Sequence, residues 1–547
     1  MHFLPWVSWH SEAPVFLAVC LLALATLVVW IGRERGRSPQ LKLPISMLIW
    51  PALCTLVTVQ WWAGHIGFGG DALVLCLYFA LCSMAWGLGY ATGGLGPEAV
   101  PRRQQALEAV AWTLVAGATA SAAIALVQVA AVWESASWIS RMPNLRRPGG
   151  NLGQPNQLAT LLIMGLASLA LLRELKRIQG LAAVLLFAVL AVGIAATESR
   201  TGLLSLGVLS LWCVAGWWRM HLSLRPWAVG LGLLIFAALF FMWPMLLALS
   251  GQFGSDVQLN TQAGTRLVVW PQLIEAIAIK PLAGWGLREV SAAHNAVADG
   301  YLVSEPFTYA HNMVLDLAIG VGLPMTTILL VITGVWMWRR LLRCQDVWAW
   351  YCVAAVLPVA VHSMLEFPFA YAYFLAPVVF LLGVLESTTG VRAAFSVSAR
   401  KMVLLIAAFS AVLIASAVEY LKIEEDFRVV RFEALRVGKT PADHQRPNVV
   451  LLTQLDGLLV AGRIAPKSNM DLETLDIARK AALRFPWPAT QNRYALSLAL
   501  NGRPDEAIRQ LSVIRALHGP DVYAQIRSSW EELARDTHPA LRALELP

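Results

Sequence analysis

Apolar runs of about 18 or more residues, recurring along most of the chain, limit its folds more than any other feature. Each run is long enough, as helix, to cross about 30 Å of hydrocarbon. Within lipid the backbone must satisfy its own hydrogen bonds, which leaves helices or a closed barrel. The period-2 alternation of a barrel is absent. Composition agrees: of 547 residues 58% are hydrophobic and only 14% charged, with a mean hydropathy of +0.61. That is too little charge to cover a soluble surface of this size. The fold class expected is therefore all-α polytopic membrane protein.

About 12 transmembrane helices are expected, near 14–31, 43–63, 72–90, 107–132, 157–172, 180–196, 202–218, 227–249, 311–338, 348–364, 369–386 and 401–418. Lys and Arg set the orientation. Seventeen fall in one set of connections: Arg33, Arg35, Arg37 and Lys42; Arg102 and Arg103; Arg173, Lys176 and Arg177; Arg219 and Arg225; Arg339, Arg340 and Arg343; Arg392, Arg400 and Lys401. The opposite short loops hold only Arg141, Arg146, Arg147 and Arg200. The first set is read as cytoplasmic. The 134–156 loop, the Glu198-Ser199-Arg200 turn, the long 250–310 loop and everything after 418 then face the periplasm, as does the N-terminus. The segment 419–547 is charged, has no spanning run and reads as a soluble C-terminal domain of short amphipathic helices. Within it, 492–514 has the spacing of a helical-hairpin repeat, although one unit cannot bury its own faces.

Several function classes fall away. The formal charge of +8 is spread over short loops, which suits anionic lipid and gives no support to nucleic-acid binding. The 23 tryptophans fit interfacial belts, with Trp61-Trp62 and Trp217-Trp218 at span ends. Seven cysteines, mostly inside spans, read as small apolar residues without a disulfide framework or CxxC metal spacing. The first long apolar run, 15–31, lacks the basic region of a cleavable signal peptide.

Chemistry concentrates on the periplasmic side. In the 141–160 loop, RMPNLRRPGGNLGQPNQLAT, paired glycines and prolines surround the amides of Asn151, Gln154 and Asn156. Amides offer both donors and acceptors, as sugar or peptide recognition requires. The plainer reading is a helix start capped by Asn156. Arg200, in TESRTG, stands where arginines are scarce; it either snorkels or meets an anionic partner. Arg266 opens a stretch with apolar residues at helical spacing, expected to lie along the interface. Guanidinium groups bind phosphate oxygens bidentately and stay charged. Arg288, after GWGL, is a third candidate. His311, with Asn312 beside it, sits at the mouth of a span and reads either as a proton acceptor or as a structural histidine. His294, Asp299, Glu305 and His311 share one loop, but their spacing matches no helical zinc pattern. His362 and Glu366 lie on one helical face at a span's outer edge, as a functional pair or a structural polar cluster.

Taken together, these residues resemble bacterial O-antigen ligases, O-antigen polymerases and the O-oligosaccharyltransferases, or pilin glycosylation ligases. The resemblance covers roughly 190–330: the SRTG turn, an arginine leading a tryptophan-containing helix that ends PLAGWG, and HN followed by an apolar stretch ending GVGLP. Two further features are similar to the protein-glycosylating branch: RPGGNLGQPNQLAT, and HSMLEFPFAYAYFL followed by a soluble C-terminal domain. The domain plan this implies is N-terminal helices to 140, a glycosylation loop and helix start at 141–168 and a ligase-like core at 190–340. The catalytic loop would be 250–311, followed by C-terminal spans to 418 and a periplasmic domain to 547. Members of this branch often carry one more hydrophobic segment before the first run here, so the start of the chain is expected to be truncated or lost.

The resemblance implies an inverting transfer of a glycan from undecaprenyl diphosphate to Ser or Thr of a periplasmic protein such as pilin, in the inner membrane. His311 is the implied catalytic residue and Arg200 and Arg266 the diphosphate-binding residues, with Arg288 added to them as the third candidate read from the residues themselves. Asn151, Gln154, Asn156, Asn312 and Glu366 would orient sugar or acceptor. A diphosphate already leaves well, so no metal, nucleotide or other cofactor is expected. Transfer of O-antigen to lipid A-core, or polymerisation of repeat units, is the alternative within the superfamily. A transporter of lipid-linked glycan would place ionisable residues mid-span, where the sequence has very few.

Overall fold

A computed structural model describes residues 12–33, 40–94, 99–130, 139–140, 147–249, 264, 266–435, 439–440 and 444–547. Arg35, Arg37, Arg141, Arg146 and most of the loop before Gly264 lie outside the described residues. The first eight helices are α1 (Glu12–Arg33), α2 (Ile49–Trp62), α3 (Gly69–Gly93), α4 (Ala99–Val129), α5 (Pro155–Glu174), α6 (Gly180–Ala196), α7 (Arg200–Met220) and α8 (Pro226–Leu249). Two short helices follow, α9 (Arg266–Ile279) and α10 (Val290–Asn295). Then come α11 (Met313–Leu342), α12 (Val347–Ser363), α13 (Ala372–Thr388) and α14 (Ala399–Ala434). The C-terminal helices are α15 (Thr453–Arg463), α16 (Leu472–Arg484), α17 (Pro488–Leu500) and α18 (Pro504–Asp536).

Every expected span carries a helix, and the protein is an all-α polytopic membrane protein. Among the described residues nine helices are long and apolar enough to cross a membrane, and α6, α12 and α13 are shorter apolar helices. At 17 residues each these three sit at the lower limit for spanning hydrocarbon. Small residues set how closely the helices approach, because lipid offers no hydrophobic drive between them. A side chain at Gly89 would put its Cβ 2.0 Å from the Phe380 carbonyl oxygen, and one at Gly383 2.3 Å from that of Trp86, so α3 and α13 cross almost backbone to backbone. On the other side of the bundle Ala111, Ala118, Ala122 and Ala125, all fully buried, let α4 lie against α5. A two-stranded antiparallel ribbon, β1 (Gln40–Leu43) with β2 (Phe395–Ser398), joins the α1–α2 and α13–α14 connections, which places two of the basic loops side by side.

The structure redraws two sequence boundaries. The span expected at 311–338 breaks at Gly322 (φ 76°). Before the break, Ala318 and Ile319 are buried against Leu273 and Ala276 of α9 and Val290 and Ala293 of α10. Beyond it Leu323, Ile328, Val331, Ile332, Val335 and Trp338 are exposed, the face a helix turns to lipid. The membranous part of α11 therefore begins near Leu323, and the first turns belong to the loop domain. The second boundary is 418: α14 continues unbroken to Ala434, its exposed apolar residues giving way after Leu421 to mostly charged ones, with Phe432 the exception. The last span and the C-terminal domain thus share one rigid rod.

That domain is two consecutive helix pairs, α15–α16 and α17–α18, with α18 broken at Gly519 (φ 82°). The 492–514 hairpin is α17 and the first part of α18. The domain is tied to the bundle by polar bonds. Arg484 grips Asp71 at the start of α3 with two bonds of 2.8 Å, and both side chains are buried. Glu419 accepts the amides of Val450, Leu451 and Leu452 ahead of α15.

Candidate active site

The site grows from the turn that ends the loop domain. Asn312 caps α11, its Oδ1 accepting from the amides of Val314 (2.9 Å) and Leu315 (3.1 Å), a common way to satisfy a helix's first donors. Its other end, Nδ2, donates to the Met364 carbonyl at 3.0 Å and so fastens the 364–367 segment beside the cap. His311 just before the cap has a positive φ of 54°. This conformation is costly outside glycine and persists where surroundings impose it. Here the surroundings are firm: the Ala310 amide donates to the Asp316 carboxylate and the Ala310 carbonyl accepts from Trp270 Nε1 at 2.8 Å. The imidazole lies against Phe307 (4.6 Å between centroids) and edge-on to Phe367 (4.8 Å).

Glu366 is the hub. Its Oε2 is 2.6 Å from His311 Nδ1. Its Oε1 accepts from Arg266, the first residue of α9, and from Asn156 Nδ2 at 3.2 Å. Burial works to raise the Glu366 pKa, but the hydrogen bond and charge of His311 and the charge of Arg266 outweigh it, holding the carboxyl below its ordinary range. An ionised acceptor at Nδ1 fixes the tautomer and leaves Nε2 as the basic nitrogen. Asn156 Oδ1 in turn accepts from Ser199 Oγ at 2.7 Å, and Ser199 caps α7 through Gly202 N. Arg200, exposed at the start of α7, is thereby set on the same mouth.

The remaining candidates are distributed as follows. Asn151 Oδ1 accepts from Ser140 N at 3.0 Å, shaping its own loop. Gln154, half-buried, precedes Pro155 at the N-cap position of α5, which the plainer sequence reading had assigned to Asn156. Arg288 is buried with its guanidinium 4.5 Å over Tyr309, which stacks on Phe367 at 4.5 Å. It therefore meets His311 through two aromatic layers. His362 is buried at the end of α12, 2.8 Å from Thr160 Oγ1, one turn before Glu366. The loop acids and histidines go separate ways: His294 bonds Gln272 and Ser304, Asp299 pairs with Arg509, and no metal-ligating cluster of three forms among the described residues.

Sequence reasoning missed Gln128 and Arg147. Gln128, fully buried on α4, bonds Gly150 N (2.9 Å), Gly150 O (3.2 Å) and Ser140 O (2.8 Å). Gly150 needs its positive φ of 56° to turn both groups inward. Arg147 Nε donates to the Thr197 carbonyl at 2.8 Å, tying the RPGG loop to the SRTG turn. A lone glutamine inside an apolar run was the available signal.

Three family models match the chain. One described as O-antigen ligase covers 185–330, one described as protein glycosylation ligase covers 148–172, and one described as virulence factor membrane-bound polymerase, C-terminal, covers 350–532. The first contains Arg200, Arg266 and His311, the second Asn151 to Asn156, and the third Glu366, so the cluster draws on all three. The general O-oligosaccharyltransferase of Acinetobacter baylyi is 27% identical over 552 residues, 96% of this chain and 90% of the relative. The chain is similar to O-oligosaccharyltransferases over nearly all of its length, and over parts of it to the O-antigen ligase and protein glycosylation ligase models. A second relative from the same organism, the ComP-specific O-oligosaccharyltransferase, is 26% identical over 70% of this chain and 69% of its own length. No solved structure matches. The protein is a multi-pass membrane protein, and these matches support a glycosyltransferase activity.

Proposed function

We propose that the protein moves an oligosaccharide en bloc from undecaprenyl diphosphate to a serine or threonine of a periplasmic protein, pilin-like proteins among them, at the outer face of the inner membrane. The observation that carries this reading is the joining of His311 and Arg266 on one buried carboxylate, Glu366, at the mouth of the bundle. In this reading the acceptor hydroxyl gives its proton to His311 Nε2 as its oxygen attacks C1 of the first sugar. The C1–O bond to the diphosphate breaks on the opposite face, and the electron pair leaves with the phosphate. The anomeric centre inverts. Glu366 keeps the imidazole oriented and stabilises its protonated form, a positioning role. Arg266 spends one nitrogen on Glu366, and with Arg200 it presents the rest of its fork to the diphosphate as negative charge grows. Asn156 links the two halves of the site, and Arg288 stiffens the aromatic wall behind His311.

A protein acceptor is favoured over lipid A-core or a growing repeat by the match of 148–172 to the protein glycosylation ligase model and by both relatives. The direct test deletes the gene and compares the intact masses of pilins and other periplasmic proteins with the lipopolysaccharide ladder. Loss of glycan mass from proteins with an unchanged ladder is expected. An altered ladder with unchanged protein masses would overturn the reading. Purified enzyme given undecaprenyl-diphosphate-linked glycan and acceptor then confirms the donor.

A further inference from the structure

Two chambers, of about 460 and 220 Å³, adjoin where the 63–68 loop and the 280–296 segment face the C-terminal helices. They share Trp285, Ala292, Arg479 and Leu483, and so form one groove between the ligase core and the C-terminal domain. On opposite walls of the smaller chamber sit two buried amides, Asn295 on α10 (8% exposed) and Gln510 on α18 (5% exposed). Asn295 Nδ2 and Gln510 Nε2 have no hydrogen-bond partner among the described residues. Native proteins rarely keep unpaired donors in such places unless something supplies the acceptor. Two unpaired donors in the lining of one groove suit carbonyl oxygens.

The charge of the walls narrows the occupant further. Arg479 and Lys480 both lean on a single carboxylate, Asp476, at 2.7 and 2.8 Å. Lys280 stands 4.0 Å over the ring of Trp285. Of the carboxylates lining the groove, Glu506 is matched by Arg503, and burial lifts the Glu289 pKa to about 7, so part of its charge is lost near neutrality. The lining cations Arg484 and Arg509 are matched by Asp71 and Asp299. Positive charge is left in excess. The aromatic rings of the smaller chamber are poor platforms for a sugar: Lys280 covers a face of Trp285, and Tyr494 is 7% exposed.

We infer that this groove holds an extended, acidic segment of the acceptor polypeptide, its main-chain or side-chain carbonyls bonded by Asn295 and Gln510 and its carboxylates by the basic wall. The inference rests on the protein-glycosylating function proposed above. Its position suits that task. The Trp285 amide donates to the Ile319 carbonyl at 2.7 Å. Ile319 lies about two helical turns, roughly 10 Å, from the capped end of α11 beside His311. An extended peptide covers that distance in a handful of residues at about 3.3 Å each.

The test uses full-length enzyme in detergent without donor and reads the anisotropy of a fluorescein-labelled decapeptide bearing four aspartates. Its lysine counterpart and free chitotetraose serve as rival probes. The aspartate peptide is expected to bind, with the lysine peptide about tenfold weaker or worse. Asn295→Asp, Gln510→Glu and Arg479→Glu should each weaken it about fivefold or more, whereas Arg479→Lys should restore most of the affinity. Arg479 is exposed, so its variants keep the test valid if a buried substitution unfolds the domain. Equal binding of both peptides, indifference to the Arg479 charge reversal, or capture of the sugar in place of the peptide would overturn the inference. His311→Ala should bind the peptide as well as wild type does. If wild type binds peptide but glycosylates no protein, the proposed function fails and the groove stands. If protein glycosylation persists with unchanged acceptor KM in the three groove variants, the groove assignment fails and the function stands.

Discussion

Glu366 holds an imidazole and a guanidinium with one carboxylate, and the consequences divide by partner. His311→Ala removes the proposed proton acceptor, and single-turnover transfer should fall by about 10²–10⁴-fold with the protein still folded in membranes. Glu366→Gln keeps the shape but not the charge; transfer should drop by about 10–100-fold, the usual scale for a positioning partner, while donor binding changes less than for Arg266→Lys. In that last variant a point charge replaces a fork, so the concentration of donor needed for half-maximal rate should rise sharply. The depressed Glu366 pKa also has a sign. Its ionised form contributes stability that is present above the ordinary carboxylate pKa and is lost only as pH falls through the lower folded value. The gap in thermal midpoint between wild type and Glu366→Gln should therefore hold from pH 8 to 5 and close only under stronger acid. At this scale the sequence was legible for residue type and not for pairing: the pair it offered, His362 with Glu366, gives way to His362 with Thr160 and Glu366 with His311. His311, Arg266 and Arg200 stood out because charge is scarce on their side. The meeting of Arg266, His311, Asn156 and Glu366 across 100, 55 and 210 positions depends on tertiary contact, which no local spacing encodes.

At the level of helices, α11 shows where periodicity stops informing. An apolar run looks the same whether lipid or another helix covers it, so the buried turns before Gly322 read as membrane. The GVGLP stretch marked the break without revealing it. Gly322 is needed twice over: its φ is 76°, and a Cβ there would stand 2.3 Å from the Leu282 carbonyl oxygen. Gly322→Ala should cost more than the roughly 1 kcal/mol of an ordinary left-handed substitution, lower the thermal midpoint and slow transfer by shifting the end of α11 that carries His311. The α9–α10 layer offers a pH test. Burial lowers the His294 pKa to about 4 from 6.5. The unfolded chain takes up a proton in that window which the fold refuses, so stability falls as pH drops from 6.5 toward 4, by about 3 kcal/mol at the end. His294→Gln should flatten that acid slope in a series of melting curves.

Across the whole molecule the bundle and the C-terminal domain are pinned at several places. The buried Asp71–Arg484 pair joins α3 to α16, Ser291 Oγ bonds the Leu483 carbonyl at 2.6 Å, and the Ser304 amide bonds the Ala516 carbonyl at 2.9 Å. Asp71→Ala strands a buried guanidinium, which typically costs about 3–5 kcal/mol. Limited proteolysis should then release fragments beginning near 435 that the wild-type protein resists. The sequence showed the change of composition at 418 and the helical character beyond it, because charge density is local. It did not show the docking, since Asp71 and Arg484 lie 413 positions apart and each alone looks like a solvated charge. The same clasp bears on how such an enzyme is rebuilt. A hybrid that borrows its tail from a cousin must borrow the matching 63–71 and 291–304 segments too, and a version trimmed to its greasy part would leave Asp71 without its counter-charge. Portable tools for decorating proteins with sugar are therefore better carved by swapping matched sets than by shortening the chain.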